Sequence, residues 1–133
     1  MNKKVLVVDD EESIRMIFAE ALEQAGFQAI AAAGGQEALN IQRVHSIQVI
    51  FLDLNMPDMN GIDLCRRLRA NNPVAIIHAV TGFTSLFQLA ECRLIGFDDY
   101  FAKPFSTKDL VRATELAFEK VTRWNQIITG RGA

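Results

Sequence analysis

Short apolar runs alternate with longer segments of helical periodicity along this chain. Such alternation is typical of βα units, in which each strand of a parallel sheet is followed by a helix that covers the sheet. The apolar runs predict five strands, at residues 5–8, 27–32, 49–52, 74–80 and 99–102. The segments of helical periodicity predict five helices, at residues 13–25, 36–44, 62–70, 85–94 and from about 107 onward. The pattern therefore predicts one α/β domain built on a buried parallel sheet.

Capping residues mark several of these boundaries. Ser13 is predicted to cap the first helix, which Gly26 ends. Ser106 is predicted to cap the last helix, where Asp109 suits the positive helix end. Gly34-Gly35 is interpreted as the turn that leads into the second helix.

The composition indicates a single domain and argues against nucleic-acid-binding and membrane proteins. A chain of 133 residues is long enough for one domain with its own core. Its net charge of −2 and pI near 5.6 provide no broad basic surface, so direct binding to nucleic acid is not expected. Cys65 and Cys92 form no C-x-x-C pair or metal-ligand spacing, which favours reduced thiols and a cytoplasmic location. Neither a signal peptide nor a membrane-spanning segment is expected.

Polar residues follow the predicted strands where the ligand site of an open α/β sheet lies, at the carboxyl ends of the strands. Asp9 and Asp10 follow the first strand, Asp53 the third, Thr81 the fourth and Lys103 the fifth. We therefore expect three carboxylates, one hydroxyl and one ammonium group at one edge of the sheet. The proline after Lys103 raises the possibility of a cis peptide bond there.

Crowded carboxylates repel one another unless a cation neutralises them, so a bound cation is implied. The candidate ligands are hard oxygens, which favours Mg²⁺ or Mn²⁺ over zinc. An aspartate carboxylate can attack phosphorus to form an acyl phosphate, and Asp53 is the candidate nucleophile. Lys103 and Thr81 could stabilise the transferring group together with the metal.

Four motifs in order give the chain a family resemblance. They are Val7-Val8-Asp9-Asp10-Glu11, Gly35-x-Glu37-Ala38-Leu39, Asp53-Leu54-Asn55-Met56-Pro57-x-Met59-x-Gly61 and Asp98-Asp99-Tyr100-x-x-Lys103-Pro104-Phe105. With these motifs the chain resembles the receiver domain of bacterial two-component response regulators, of the chemotaxis-regulator kind, from Val5 to about Leu116.

The resemblance implies a flavodoxin-like, doubly wound sheet of five parallel strands in the order 2-1-3-4-5, with five helices. It implies that Asp53 accepts a phosphoryl group from a histidine kinase or phosphotransfer domain. A downstream effector protein, or an output domain of a longer chain, would then read the change. Such a protein is a self-modifying switch and not a turnover enzyme. The receiver domain would span residues 1–120, and residues 121–133 would extend the last helix.

The resemblance also implies roles for individual site residues. The metal ligands would be Asp9, Asp10, Asp53 and the backbone carbonyl of Asn55. Thr81 would be the switch hydroxyl and Tyr100 its aromatic partner, while Lys103 would hold the acyl phosphate. Phosphorylation would change the surface formed by the fourth helix, the fifth strand and the fifth helix.

Three positions depart from the family pattern. Asn60 stands where Asp is usual, a change expected to alter little, and Phe97 replaces a small residue after Gly96, which predicts different packing near the fourth helix. Phe83, two residues beyond Thr81, is predicted to change the lifetime of the phosphoryl group.

Two other functions are compatible with parts of this pattern. A magnesium-dependent phosphatase of the haloacid-dehalogenase kind also phosphorylates an aspartate at a strand end. That chemistry usually needs a second Asp two residues later, where this chain has Asn55, and an amide cannot act as the general acid. A phosphorylation-independent adaptor of the same fold is the other alternative, and the complete set of acidic residues, Thr81 and Lys103 argues against it.

The last helix keeps its apolar spacing beyond the usual end of a receiver core. Its stripe comprises Leu110, Ala113, Ala117, Val121, Trp124 and Ile128. Two interpretations remain open: a longer helix packed on its own body, or an exposed stripe that binds a partner or a second copy of the chain.

Overall fold

Five βα units form the structure, a computed structural model that describes residues 3–82 and 86–129 (backbone only at 86–89 and 129). Strands alternate with helices in the order β1 Lys4–Val8, α1 Glu12–Gln24, β2 Gln28–Ala32, α2 Gly35–His45, β3 Val49–Asp53, α3 Gly61–Asn71, β4 Ile76–Thr81, α4 Leu86–Ile95, β5 Asp99–Ala102 and α5 Thr107–Thr129. The predicted number and order of elements are confirmed. Phe83 and Ser85, on which two of the sequence predictions fall, lie outside the described residues.

All five strands pair in parallel, in the order β2-β1-β3-β4-β5. Two apolar layers cover the sheet because successive strand side chains point to opposite faces. Leu6 and Val8 pack with α2, α3 and α4 on one face, whereas Val5 and Val7 pack with α1 and α5 on the other. The predicted doubly wound, flavodoxin-like architecture is therefore confirmed.

The ends of α1 show one correct and one wrong prediction. Gly26 has a φ of +94°, and the amides of Gly26 and Phe27 donate to the last free carbonyls of α1, so the helix ends there as predicted. Ser13 does not cap the helix, because α1 begins one residue earlier and Glu11 takes the extended capping position without a side-chain hydrogen bond. At α5, by contrast, the amide of Asp109 donates to the hydroxyl of Ser106 at 3.0 Å, as predicted.

His78 is a core residue, as its place in an apolar strand indicates. Its ring stacks on Phe51 with centroids 4.1 Å apart, and Nδ1 lies 2.9 Å from the carbonyl oxygen of Ile50. Because a carbonyl only accepts, Nδ1 carries the proton. Burial lowers the pKa of His78, so the neutral ring is favoured.

Burial on α5 changes along the helix. Leu110, Ala117 and Val121 are buried against the sheet, whereas Trp124 and Ile128 are 46% and 62% exposed. The first part of the stripe therefore packs on its own body, and the last two turns of α5 leave their apolar side chains in solvent. Within residues 3–82 and 86–129, no helix combines the length and apolarity needed to cross a bilayer.

Candidate functional site

The carboxyl ends of β1 and β3 bring their aspartates together. These strands are neighbours with Val8 opposite Leu52, so the next residues, Asp9 and Asp53, meet at the same edge of the sheet. Asp53 is the last residue of β3, one position further into the strand than the apolar run indicates.

Three carboxylates form a cluster at this edge. One oxygen from each of Asp9, Asp10 and Asp53 lies within 4.8 Å of the others. Asp9 and Asp53 are only 1% and 4% exposed, while Asp10 is exposed and leaves the cluster open to solvent. Buried carboxylates this close repel each other unless a cation shares them, and hard oxygen donors suit a divalent ion such as Mg²⁺. The donor set therefore fits the metal site expected from the sequence.

Lys103 supplies positive charge to the same cluster. Its ammonium group lies 3.0 Å from Asp9, 3.8 Å from Asp53 and 3.9 Å from Glu11. The backbone amide of Lys103 donates to the carbonyl oxygen of Thr81 at 2.8 Å, which fixes the chain beside β4. The peptide bond before Pro104 is cis, as the sequence suggested. Burial opposes the charged form of Lys103, but the bond to Asp9 and the nearby negative charges raise its pKa overall.

The carboxyl group of Asp53 is strongly perturbed. Burial raises its pKa to about 6, against the lowering effect of the Asn55 amide, which donates to its Oδ1 at 3.1 Å. The charge of Asp9 raises this pKa further, and that of Lys103 lowers it. Three carboxylates share one lysine here, so the site holds more negative charge than that lysine balances, and a bound cation would relieve the excess.

Thr81 and Tyr100 lie on the same face of the sheet. Ala79 pairs with Tyr100 and Thr81 with Ala102, so the two side chains are diagonal neighbours on adjacent strands. Thr81 is buried, and the side-chain amide of Asn55 donates to its hydroxyl at 3.4 Å. Tyr100 is half-buried against the layer that contains α3 and α4. The predicted switch residues are therefore close enough in the fold to influence each other's packing.

Several contacts at the site were not anticipated from the sequence. Glu11 reaches Lys103, and Arg15 donates to the backbone carbonyl of Asp9 at 2.8 Å. Gly61 allows α3 to begin beside the acceptor, since a Cβ there would lie 2.7 Å from the carbonyl oxygen of Asp53. Of these, only Glu11 and Gly61 carry a signal in the sequence, because both belong to the motifs around the aspartates.

Comparison with known proteins gives consistent matches. The model of the response regulator receiver domain family matches residues 5–115. The Bacillus subtilis alkaline phosphatase synthesis transcriptional regulatory protein PhoP is 38% identical over 110 residues, 83% of this chain and 46% of PhoP. The Mycobacterium tuberculosis transcriptional regulatory protein PdtaR is 35% identical over 131 residues, 98% of this chain and 62% of PdtaR. The chain thus spans about half to two-thirds of the length of these relatives.

Solved structures agree with this match. The chemotaxis protein CheY4 of Vibrio cholerae has 31% sequence identity and a TM-score of 0.84, over 88% of this chain and 99% of CheY4. The receiver domain of the Francisella response regulator 1452 also has 31% identity and a TM-score of 0.84, over 90% and 99% of the two chains. The matches favour a receiver over a phosphatase or an adaptor that retains only the fold. The chain belongs to the response regulator receiver domain family, and it functions as a receiver in phosphorelay signalling.

Proposed function

We propose that Asp53 accepts the phosphoryl group of a phosphohistidine, presented by a histidine kinase or a phosphotransfer domain. One observation carries this assignment: the buried Asp53 carboxylate shares a cluster with Asp9 and Asp10 and lies 3.8 Å from the Lys103 ammonium group. This arrangement combines a nucleophile with groups that can balance the charge of a transferring phosphoryl group.

In the proposed step, a carboxylate oxygen of Asp53 attacks the phosphorus. The P–N bond to the donor histidine breaks, and its electron pair stays on the imidazole nitrogen. Negative charge spreads over the equatorial oxygens, where the Lys103 ammonium group stabilises it. Asp9, Asp10, Asp53 and the Asn55 carbonyl would hold Mg²⁺ or Mn²⁺, which supplies further charge neutralisation when bound.

The acyl phosphate then provides a new acceptor for the Thr81 hydroxyl. Thr81 would leave the Asn55 amide, and Tyr100 would move into the space on the shared face of the sheet. This movement changes the surface formed by α4, β5 and α5, which a downstream effector or an output domain would read. In this role the chain is a switch that catalyses its own phosphorylation and dephosphorylation. It is not an enzyme that turns over an external substrate.

The direct test is incubation with Mg²⁺ and the small phosphodonor acetyl phosphate, followed by intact-mass detection. Wild type should gain one phosphoryl group, and Asp53→Asn should gain none. Asp63→Asn is a matched control, because Asp63 is an exposed aspartate on α3 that faces Arg66. Phosphorylation of Asp53→Asn equal to that of wild type would contradict the assignment.

The location and the domain boundary are also proposals. Cys65 and Cys92 are buried free thiols, a state compatible with the reducing cytoplasm that we propose for the chain. Residues 1–120 are proposed as the receiver and 121–133 as an extension of α5, since buried contacts along α5 end near Val121.

We propose that this extension contacts a second copy of the chain. Trp124 and Ile128 are four residues apart, so they share one face of the helix beyond its buried contacts, and the same apolar face of a second copy would pack against them. Trp124, Ile127 and Ile128 are exposed on these last turns.

Sedimentation velocity of the wild-type chain should show a monomer–dimer equilibrium. Trp124→Ser should shift that equilibrium toward the monomer, whereas Arg123→Ser, one position away on the same exposed turn, should not. A monomeric wild type, or a dimer unaffected by Trp124→Ser, would refute this proposal.

A further inference from the structure

The loop that follows the acceptor, residues 54–60, is attached to the start of α2 by one carboxylate. The backbone amide of Gly35 donates to Oδ1 of Asp58 at 3.2 Å, and that of Gln36 approaches Oδ2 at 3.5 Å. The N-cap residue of α2 is Gly34, which has no side chain to accept these bonds. Asp58 therefore caps α2 from another part of the chain, with its negative charge at the positive end of the helix.

Two glycines make room for this contact. A Cβ on Gly34 would lie 2.7 Å from Oδ2 of Asp58, and one on Gly35 would lie 2.7 Å from Cβ and Sδ of Met59. Gly34 has a φ of −167°, an extended conformation open to any residue, so space alone requires glycine there. The Gly34-Gly35 pair is thus explained by the approach of the loop and not by the turn.

The rest of this loop is bonded mainly to its own neighbours. Asn55 donates to Asp53, the amide of Gly61 donates to the Leu54 carbonyl, and the Asn60 side chain accepts from the Ile62 amide at 2.7 Å. The loop is also bonded to β4, through the Leu54 amide to the Val80 carbonyl and the Asn55 side chain to Thr81. Asp58 joins it to a different element, α2, 22 and 23 residues away in sequence. The capping contact is thus a further attachment of the loop, three residues after Asn55.

We propose that Asp58 is a positioning residue for the metal site. By capping α2 it fixes the loop 54–60. The Asn55 carbonyl is thereby held in position beside the carboxylates of Asp9, Asp10 and Asp53. The inference rests on the proposed function, since it takes the Asn55 carbonyl as a metal ligand. Asp58 itself touches neither the metal nor the phosphoryl group; it acts through the loop that it anchors.

Two substitutions break the contact from opposite sides. Asp58→Ala removes the carboxylate, and Gly34→Ala places a methyl group in the space that the carboxylate occupies. Each should raise the dissociation constant for Mn²⁺ about tenfold, at the lower end of the effect of removing an outer-shell partner. Asp58→Asn keeps an oxygen that can accept from Gly35 and should have a smaller effect than Asp58→Ala.

The decisive measurement is titration of the full chain with Mn²⁺, followed by EPR of the free ion without phosphodonor. If Gly34→Ala acts by displacing Asp58, it should add nothing in the Asp58→Ala background, so the double variant should match either single variant. Asp63→Ala controls for the loss of one exposed negative charge and should leave Mn²⁺ affinity unchanged. Circular dichroism of each variant confirms that the fold is retained.

Any other pattern overturns the inference: unchanged affinity in either single variant, or effects that multiply in the double variant. If wild type binds Mn²⁺ and is phosphorylated on Asp53 while the variants bind equally well, only the role of Asp58 fails. If wild type binds no Mn²⁺, both the metal site and this inference fail. Phosphorylation of Asp53 is then tested separately, by the intact-mass measurement after incubation with acetyl phosphate.

Discussion

A cluster of charged side chains lies at each end of the sheet, and the two clusters differ in how many carboxylates surround the cation. At the amino end of β5, Arg69 donates to Asp98 at 2.8 Å and to the carbonyl oxygens of Gly96, Pro73 and Ala75. Asp98 also accepts from the amide of Ile77 at 2.8 Å, so one cation meets one anion and their remaining bonds go to the backbone. At the carboxyl end, Lys103 is shared among three carboxylates, and Asp10 is exposed at the same cluster.

The difference separates a structural ion pair from the site that we propose to accept the phosphoryl group. The Arg69 group is balanced in charge and joins α3, the loop before β4 and the end of α4. The Lys103 group keeps an excess of negative charge, which a divalent ion would have to balance for a phosphoryl group to approach. An imbalance of charge, more than burial or the presence of an ion pair, marks the functional end of this sheet.

The largest expected effect is at Lys103. Lys103→Met should slow phosphorylation by acetyl phosphate by about two to three orders of magnitude, because a positive group beside the transferring phosphoryl is lost. The same change should tighten Mn²⁺ binding, since the ammonium no longer competes for Asp9. Initial rates by intact mass and Mn²⁺ titration check the two directions, and weaker metal binding would contradict this account of the shared lysine.

Arg69 should affect stability without affecting the site. Arg69→Met should lower the free energy of unfolding by about 1–3 kcal/mol, less than for a fully buried pair because Arg69 and Asp98 are partly exposed. Urea denaturation gives this value, and Mn²⁺ affinity should stay at the wild-type level. Arg66→Met, at the exposed pair with Asp63, is the control and should change stability by less than about 0.5 kcal/mol. A large change in Mn²⁺ affinity with Arg69→Met would mean that the two ends are not independent.

The smallest expected effect is at the buried core residue His78. Burial lowers the pKa of His78 in the folded state below the ordinary histidine value of 6.5, so the unfolded chain binds more protons as the pH falls below that value. Its contribution to stability is therefore complete above about pH 6.5 and is lost as pH falls toward the folded pKa. His78→Phe should keep the stack on Phe51 and show a shallower loss of stability between pH 7.5 and 5.5, measured by urea denaturation. Equal slopes for the two proteins would refute the role of His78.

The predictable features are those encoded locally. The strands and helices follow from apolar periodicity, and the meeting of Asp9 and Asp53 follows from parallel strands that end at one edge. Ser13 failed as a cap because α1 begins at Glu12, while the Asp9 side chain already accepts the amide of Glu11 at 2.9 Å. Glu11 takes the capping position without a side-chain hydrogen bond, so a rule based on residue type places the cap two residues too late.

The contacts that sequence could not reveal join distant segments. Asp58 meets α2 more than 20 residues away, and Arg69 meets Asp98 at a separation of 29 residues. Each depends on how a loop residue is placed beside a helix from another part of the chain, which periodicity does not specify. The glycines at 34 and 35 carried a signal, but a turn explained them equally well until the approach of Asp58 and Met59 was visible.

The carboxyl-terminal part of α5 has a mechanical consequence. Residues 122–129 extend about 12 Å beyond the last buried contact, since an α-helix rises 1.5 Å per residue. The hydrogen bonds of this helix continue without a break into the part that packs on the sheet. We therefore expect any small tilt of the packed portion to cause a larger displacement at residue 129, away from the body of the domain.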